Sequence, residues 1–229
     1  MKRVRLAETD RVEALRDAAQ VVRRGGIVLY PTDTIYGLGC DPFSEAAVQR
    51  LTALKKRSDT RLFLVLVRHP ELVTELVSNL PDTFRFLAER VWPGPITMIF
   101  EKERNRGPFP GSDSIGIRCP RWSFLREFLR MLDGPLISTS ANVTGETPIG
   151  DPEQAWRQFS SGIELFLDFG KLLHDRPSTI VDIRCDPPRI LREGAMLQRV
   201  LDAISEWQNR RQLSGHVGGG VLRDRLAAG

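Results

Sequence analysis

Apolar runs of strand length recur along this chain with amphipathic stretches between them, and that alternation limits its fold more than any other feature. Ile27–Tyr30, Leu62–Val67, Ile96–Phe100 and Pro135–Ile137 are short and nearly continuous in apolar residues, as buried strands are. Between them, apolar residues spaced three and four apart mark helical faces. Val12, Leu15, Ala19 and Val22 form the first, Val48, Leu51 and Leu54 the second, and Phe124, Leu125, Phe128, Leu129 and Leu132 a later one. Thr9 or Asp10 can cap the first helix and Gly25-Gly26 closes it, while Ser44 opens the second. Short helices are expected behind Pro70 and behind Pro81-Asp82, another from Asp151, and a last one from Met196 to Trp207. Further strands are read at Ser114–Arg118, Glu164–Asp168, Thr179–Ile183 and Arg189–Arg192. The result is an α/β class: a single-domain, twisted, open sheet of mixed parallel and antiparallel strands flanked by helices. One domain over residues 1–207 is expected, followed by a loosely ordered tail over 208–229, where Gly218-Gly219-Gly220 and a polar, basic flank replace the apolar pattern.

With 229 residues there is enough chain to bury a real core. The 33 basic and 29 acidic residues are well mixed, so a net charge of +4 permits a phosphate or nucleic-acid partner without requiring one. Cys40, Cys119 and Cys185 are far apart and form no ligand spacing, which argues against a protein-bound metal and fits a reduced, cytoplasmic compartment. No apolar run approaches the ~20 residues of a membrane span, and no membrane partner is expected. No phosphate-binding Gly-rich loop, zinc-protease helix or nucleophile elbow is present. His69, His174 and His216 stand alone, so a triad hydrolase is not a reading of this chain.

What remains is a set of hydroxyls and cations flanking the apolar runs. Pro135–Ile137 passes directly into Ser138-Thr139-Ser140-Ala141-Asn142, and Ile27–Tyr30 into Pro31-Thr32-Asp33-Thr34-Ile35-Tyr36-Gly37-Leu38-Gly39. Thr32 and Thr34, two apart, point the same way if the segment is extended, but turn hydroxyls serving the local backbone account for the spacing equally well. Lys55, Arg57 and Arg61 can hold phosphate oxygens; a solvated helix end favoured by the dipole explains them too. Arg118 and Arg192 end apolar strands, and Ser178-Thr179 begin one. Hydroxyls and cations without an activated nucleophile suit a site that binds polar substrates and does not attack them.

In order along the chain these stretches resemble the YrdC/TsaC family, the L-threonylcarbamoyladenylate synthases. The likeness is carried by Pro31–Gly39, the K-x-R at Lys55 and Arg57, and Trp92-Pro93-Gly94-Pro95-Ile96-Thr97. It continues through Ser114–Pro120, Ser138–Asn142, Ser178–Asp182 and Leu191-Arg192-Glu193-Gly194, and spans Ala7 to Leu201. The resemblance implies ATP-dependent synthesis of threonylcarbamoyl-AMP from L-threonine and bicarbonate with release of pyrophosphate. The product would pass to downstream tRNA-modification proteins. It implies threonine contacts at Thr34, Arg118, Ser140 and Ser178, and ATP contacts at Arg57, Arg61, Ser114, Asn142 and Arg192. Lys55 completes the family's catalytic Lys-Arg-Ser-Asn set with Arg57, Ser140 and Asn142. At Gly150, where relatives usually offer a hydroxyl to the nucleotide, only backbone can serve. Ser58 and Leu62 replace family prolines, and Leu66 stands where some members carry a threonine-contacting histidine. Mg2+ is expected to come with ATP. An RNA-binding module of the same fold, acting on tRNA or rRNA, is the alternative, and direct contact with tRNA is left open.

Overall fold

The computed structural model describes residues 1–56, 63–102, 112–147, 149–172 and 176–217, with side chains to residue 213. Its strands are β1 (Lys2–Arg5), β2 (Val28–Pro31), β3 (Tyr36–Gly39), β4 (Leu64–Leu66) and β5 (Ile96–Glu101), then β6 (Ser114–Arg118), β7 (Leu136–Ser140), β8 (Leu165–Asp168), β9 (Thr179–Asp182) and β10 (Arg189–Arg192). They form one ten-stranded sheet in the order β1-β8-β2-β3-β7-β4-β6-β5-β9-β10. β1–β8, β2–β8, β4–β6 and β5–β9 pair in parallel, and the remaining neighbours are antiparallel. The sheet is therefore mixed, as its alternating runs predict.

The helices are α1 (Arg11–Arg23), α2 (Glu45–Leu54), α3 (Asp82–Val91), α4 (Ser123–Leu132), α5 (Pro152–Phe159) and α6 (Leu197–Val217). Asp10, Ser44 and Asp151 each accept a backbone N–H of the first turn that follows, satisfying donors a helix start leaves open. Two apolar clusters divide the faces of the sheet. One joins Val28, Tyr30, Leu66, Leu136, Leu165 and Leu167 to α1 and α4. The other packs Ile115, Ile117, Met98, Phe100, Ile137 and Val181 against α2, α3, α5 and α6. Within α1 it is Ala14, Leu15, Ala18, Ala19 and Val22 that are buried, while Val12, placed on that face by spacing, is 41% exposed.

Two strands lie where none is expected. β1 carries one buried residue, Val4, at an edge of the sheet. β3 lies within the hydroxyl-rich segment and presents glycine at alternate positions, so it has no apolar signal on that face. The last helix also departs from expectation: it continues to Val217 instead of ending at Trp207. Trp207 Nε1 donates to Asp186 at 3.3 Å, and Arg211 pairs with the same carboxylate one turn on, which ties the polar extension to the β9–β10 loop. Residues 218–229 lie outside the described part. No helix among the described residues is long and apolar enough to cross a membrane.

Candidate active site

Strand alternation places Ser114, Gly116 and Arg118 of β6 on one face and Ile115 and Ile117 on the other. Leu64 pairs in register with both Gly116 and Ser138, and Gly116 with Ile99, so these residues form a row across four strands. Helices α1 and α4 cover this face at Leu66 and Leu136. Farther along, Leu64, Ile99, Gly116 and Ile180 remain half-buried. The absence of a side chain at Gly116 matters there, because a Cβ would come within 3.3 Å of Thr97 Cγ2 and Ile99 Cδ1. We read this half-buried row as the apolar floor of a trough.

Helix α2 ends at Lys55, whose carbonyl accepts from both the N–H and the hydroxyl of Thr144 at 3.1 Å. The Lys55 side chain is buried and donates to Ser140 O at 2.5 Å and to Asn142 Oδ1 at 3.0 Å. The Ser140 hydroxyl donates to the same Oδ1. Asn142 Nδ2 donates to Val143 O at 3.0 Å and Glu146 O at 2.7 Å, so the amide cannot turn without losing bonds at both ends. Lys55, Ser140 and Asn142 are thus one connected node.

Beside this node, Thr32, Asp33 and Thr34 form the turn between β2 and β3, and Gly37 of β3 pairs with Ser140. Thr32 Oγ1 donates to Ile35 O at 2.6 Å, which leaves it to accept from Thr34 Oγ1 at 2.9 Å. Asp33 reaches across to Arg118 and pairs through Oδ1 with Nη2. Arg118 is 4% exposed, and its Nε donates to Gly94 O at 3.2 Å. Nη1 has no partner among the described residues, and the second Asp33 oxygen, Oδ2, is buried with none. Beyond Arg118, the Arg192 Nε and Nη2 donate to Ser178 O at 3.0 and 2.9 Å, and Nη2 also to Ser178 Oγ at 2.9 Å. Ser178 Oγ in turn lies 3.1 Å from Thr97 Oγ1. Gly194 permits this approach, since a Cβ there would stand 2.4 Å from Pro177 O and 2.7 Å from Ser178 O. Burial of its guanidinium and, after that, the Arg118 cation push the Arg192 pKa down.

The structure brings Lys55, Ser140 and Asn142 together at the end of β7 with the Thr34 turn beside them, Ser178 and Arg192 together at β9 and β10, and Ser114 and Arg118 on β6 between. The Ser114 hydroxyl has no partner among the described residues. Gly150 is engaged through its carbonyl, which accepts from Leu172 N at 3.1 Å. Arg57 and Arg61, with Ser58 and Leu62, lie outside the described residues. Leu66 is 1% exposed beneath α1 and α4, so its side chain belongs to the core. Burial pushes the Cys40 and Cys119 thiols up to about 12 and about 11, and neither is a nucleophile at neutral pH. Sequence reading missed Asp33; the signal was an acid placed between two threonines at the end of a buried strand. A separate cleft of about 540 Å³ lies against Arg68, His69, Ser123, Arg126, Glu127 and Arg130 and contains none of these residues. We place the site at the trough, where polar groups converge on a partly apolar floor.

Residues 20–194 match the model of the Sua5/YciO/YrdC family, described as telomere recombination. The chain is 29% identical over 195 residues to a threonylcarbamoyl-AMP synthase of Pyrococcus abyssi, an alignment covering 84% of this chain and 57% of that protein. It therefore spans little more than half the length of that relative. It is 37% identical over 153 residues to a threonylcarbamoyl-AMP synthase of Methylococcus capsulatus, covering 63% of this chain and 79% of that one. The fold is similar to the crystal structure of P. abyssi Sua5 complexed with L-threonine, with a TM-score of 0.80 at 28% identity, over 88% of this chain and 60% of the other.

Proposed function

The chain belongs to the Sua5/YciO/YrdC family, and from that premise we propose that it makes threonylcarbamoyl-AMP and pyrophosphate from L-threonine, bicarbonate and ATP. The observation that carries this reading is that Arg118, held by Asp33 and Gly94 O, and Arg192, held by Ser178, lie on the strands β6 and β10 of the same sheet whose β7 carries the Lys55–Ser140–Asn142 node. Such a site favours two anions brought side by side. In the reaction, the threonine amine takes up bicarbonate with loss of water to give a carbamate, and a carbamate oxygen then displaces pyrophosphate from the α-phosphate. The attacking atom belongs to the substrate, so the protein has to position and to stabilise charge.

Arg118 receives the amino-acid carboxylate. With Nε on Gly94 and Nη2 on Asp33, it does so through Nη1, sharing Nη2 if the grip is to be two-pronged. Thr34, Ser140 and Ser178 supply hydroxyls for the substrate's own polar groups, and a site built this way rejects valine because its buried groups are left unpaired. Lys55, Asn142, Ser114 and Arg192 face the nucleotide, with Arg57 and Arg61 assigned there by family likeness. Asp33 is the carboxylate in this set and is already committed to Arg118, so the donor set fits Mg2+ that is carried by ATP. That ion would neutralise phosphate charge. The free thiols and the nucleotide substrate accord with a cytoplasmic protein that hands its product to tRNA-modification partners. The alternative of an RNA-binding module draws less support, because Lys55 and Arg118 are buried and the exposed Arg192 is bonded to the Ser178 carbonyl.

Pyrophosphate release from ATP tests the reading. Release is expected to require L-threonine and bicarbonate together, and equal release with either omitted overturns it.

A further inference from the structure

Asp33 and Arg118 leave open one acceptor and one donor side by side: Oδ2 of the carboxylate, buried without a partner, and Nη1 of the guanidinium. The ion pair itself is well enclosed, with side chains 5% and 15% exposed. A buried carboxylate oxygen with nothing to accept from is costly, and it persists where a ligand supplies the donor. The two open positions have opposite polarity and belong to residues already in contact, so their spacing is that of neighbouring groups on one small molecule. An α-amino acid is such a molecule, with an ammonium beside a carboxylate.

We propose that Asp33 binds the substrate's α-ammonium through Oδ2 while Arg118 binds its α-carboxylate through Nη1. The inference rests on the threonine reading of the site and deepens it. The site then selects for a free α-amino group before any chemistry occurs, and it sets the nitrogen on the side of the β2–β3 turn. Thr34, adjacent in that turn, has its hydroxyl fixed toward Thr32, which keeps the turn in place when the ammonium docks.

The test is calorimetric binding without ATP or bicarbonate, using L-threonine and 2,3-dihydroxybutanoate of matching configuration, in which a hydroxyl replaces the amine. Wild-type protein is expected to bind threonine about 10- to 100-fold more tightly than the hydroxy acid, as befits a charge-assisted bond. Asp33→Asn keeps a partner for Arg118 Nη2 but loses the charge, so threonine affinity should fall by a similar factor while hydroxy-acid affinity holds. Asp33→Glu should recover part of the loss. Equal loss of both ligands in Asp33→Asn would mean that Asp33 serves only to hold Arg118, and the inference falls. Equal affinity of wild type for both ligands overturns it without any variant having to fold. If wild type binds no threonine at all, the reading of the site falls with it; if it binds threonine and Asp33→Asn does so unchanged, only the role of Asp33 is lost.

Discussion

Lys55 sets a positive charge in a buried position against the oxygens of Ser140 and Asn142, and the same contacts fix both of those side chains. A spacing argument alone could leave Lys55 on a solvated helix end. Its 3% exposure removes that reading. Lys55→Met keeps much of the stem but removes two charge-assisted bonds, to Ser140 O and Asn142 Oδ1, so unfolding free energy should drop by about 1–3 kcal/mol. Urea denaturation measures this, and a change within the error of the method would show that the node is not stabilised by the lysine. The hydroxyls at Thr34, Ser140 and Ser178 were legible because small polar residues stood at the ends of apolar runs. The role of Asp33 was not, since its meaning depends on Arg118, 85 positions away in sequence.

The elements that carry the site are held by short local devices. At the end of β9, Asp182 accepts from Arg184 N at 3.0 Å, Nε at 2.9 Å and Nη2 at 2.7 Å. Its side-chain bond to Arg184 comes first in holding its pKa below the ordinary 3.8. A depressed carboxylate contributes stability above its unfolded-state value and loses it as pH falls through the folded one. Asp182→Asn should therefore be less stable than wild type at neutral pH, with the gap closing as pH drops below the ordinary carboxylate range. Thermal melts across acid pH check this, and a gap independent of pH contradicts it. Helices were legible at this scale because caps and apolar faces are local. Asp10, Ser44 and Asp151 sit where the sequence puts them. β3 was hidden because Gly37 and Gly39 occupy its alternate positions, leaving half of the strand pattern blank. The extension of α6 past Trp207 was hidden because polar residues continue it, tied down by Asp186 from another loop.

Across the whole molecule, one sheet separates two cores, and on its second face the row Leu64, Gly116 and Ile99 is only half-buried. The α/β class followed from the alternation of runs, whereas the strand order and the uncovered face depend on which strands pair, which periodicity does not encode. Leu66 and Leu136 are fully covered by the α1 and α4 cluster, whereas in the next row Leu64, packed against the same cluster, and Gly116 are only half-buried, and we place the trough there. The central claim is that this trough joins threonine to AMP through a carbon taken from bicarbonate. Incubating the protein with ATP, L-threonine and 13C-bicarbonate and weighing the nucleotide products by mass spectrometry tests it most directly. The account predicts an AMP adduct containing threonine and one labelled carbon; ATP consumed with no label in any nucleotide product would contradict it.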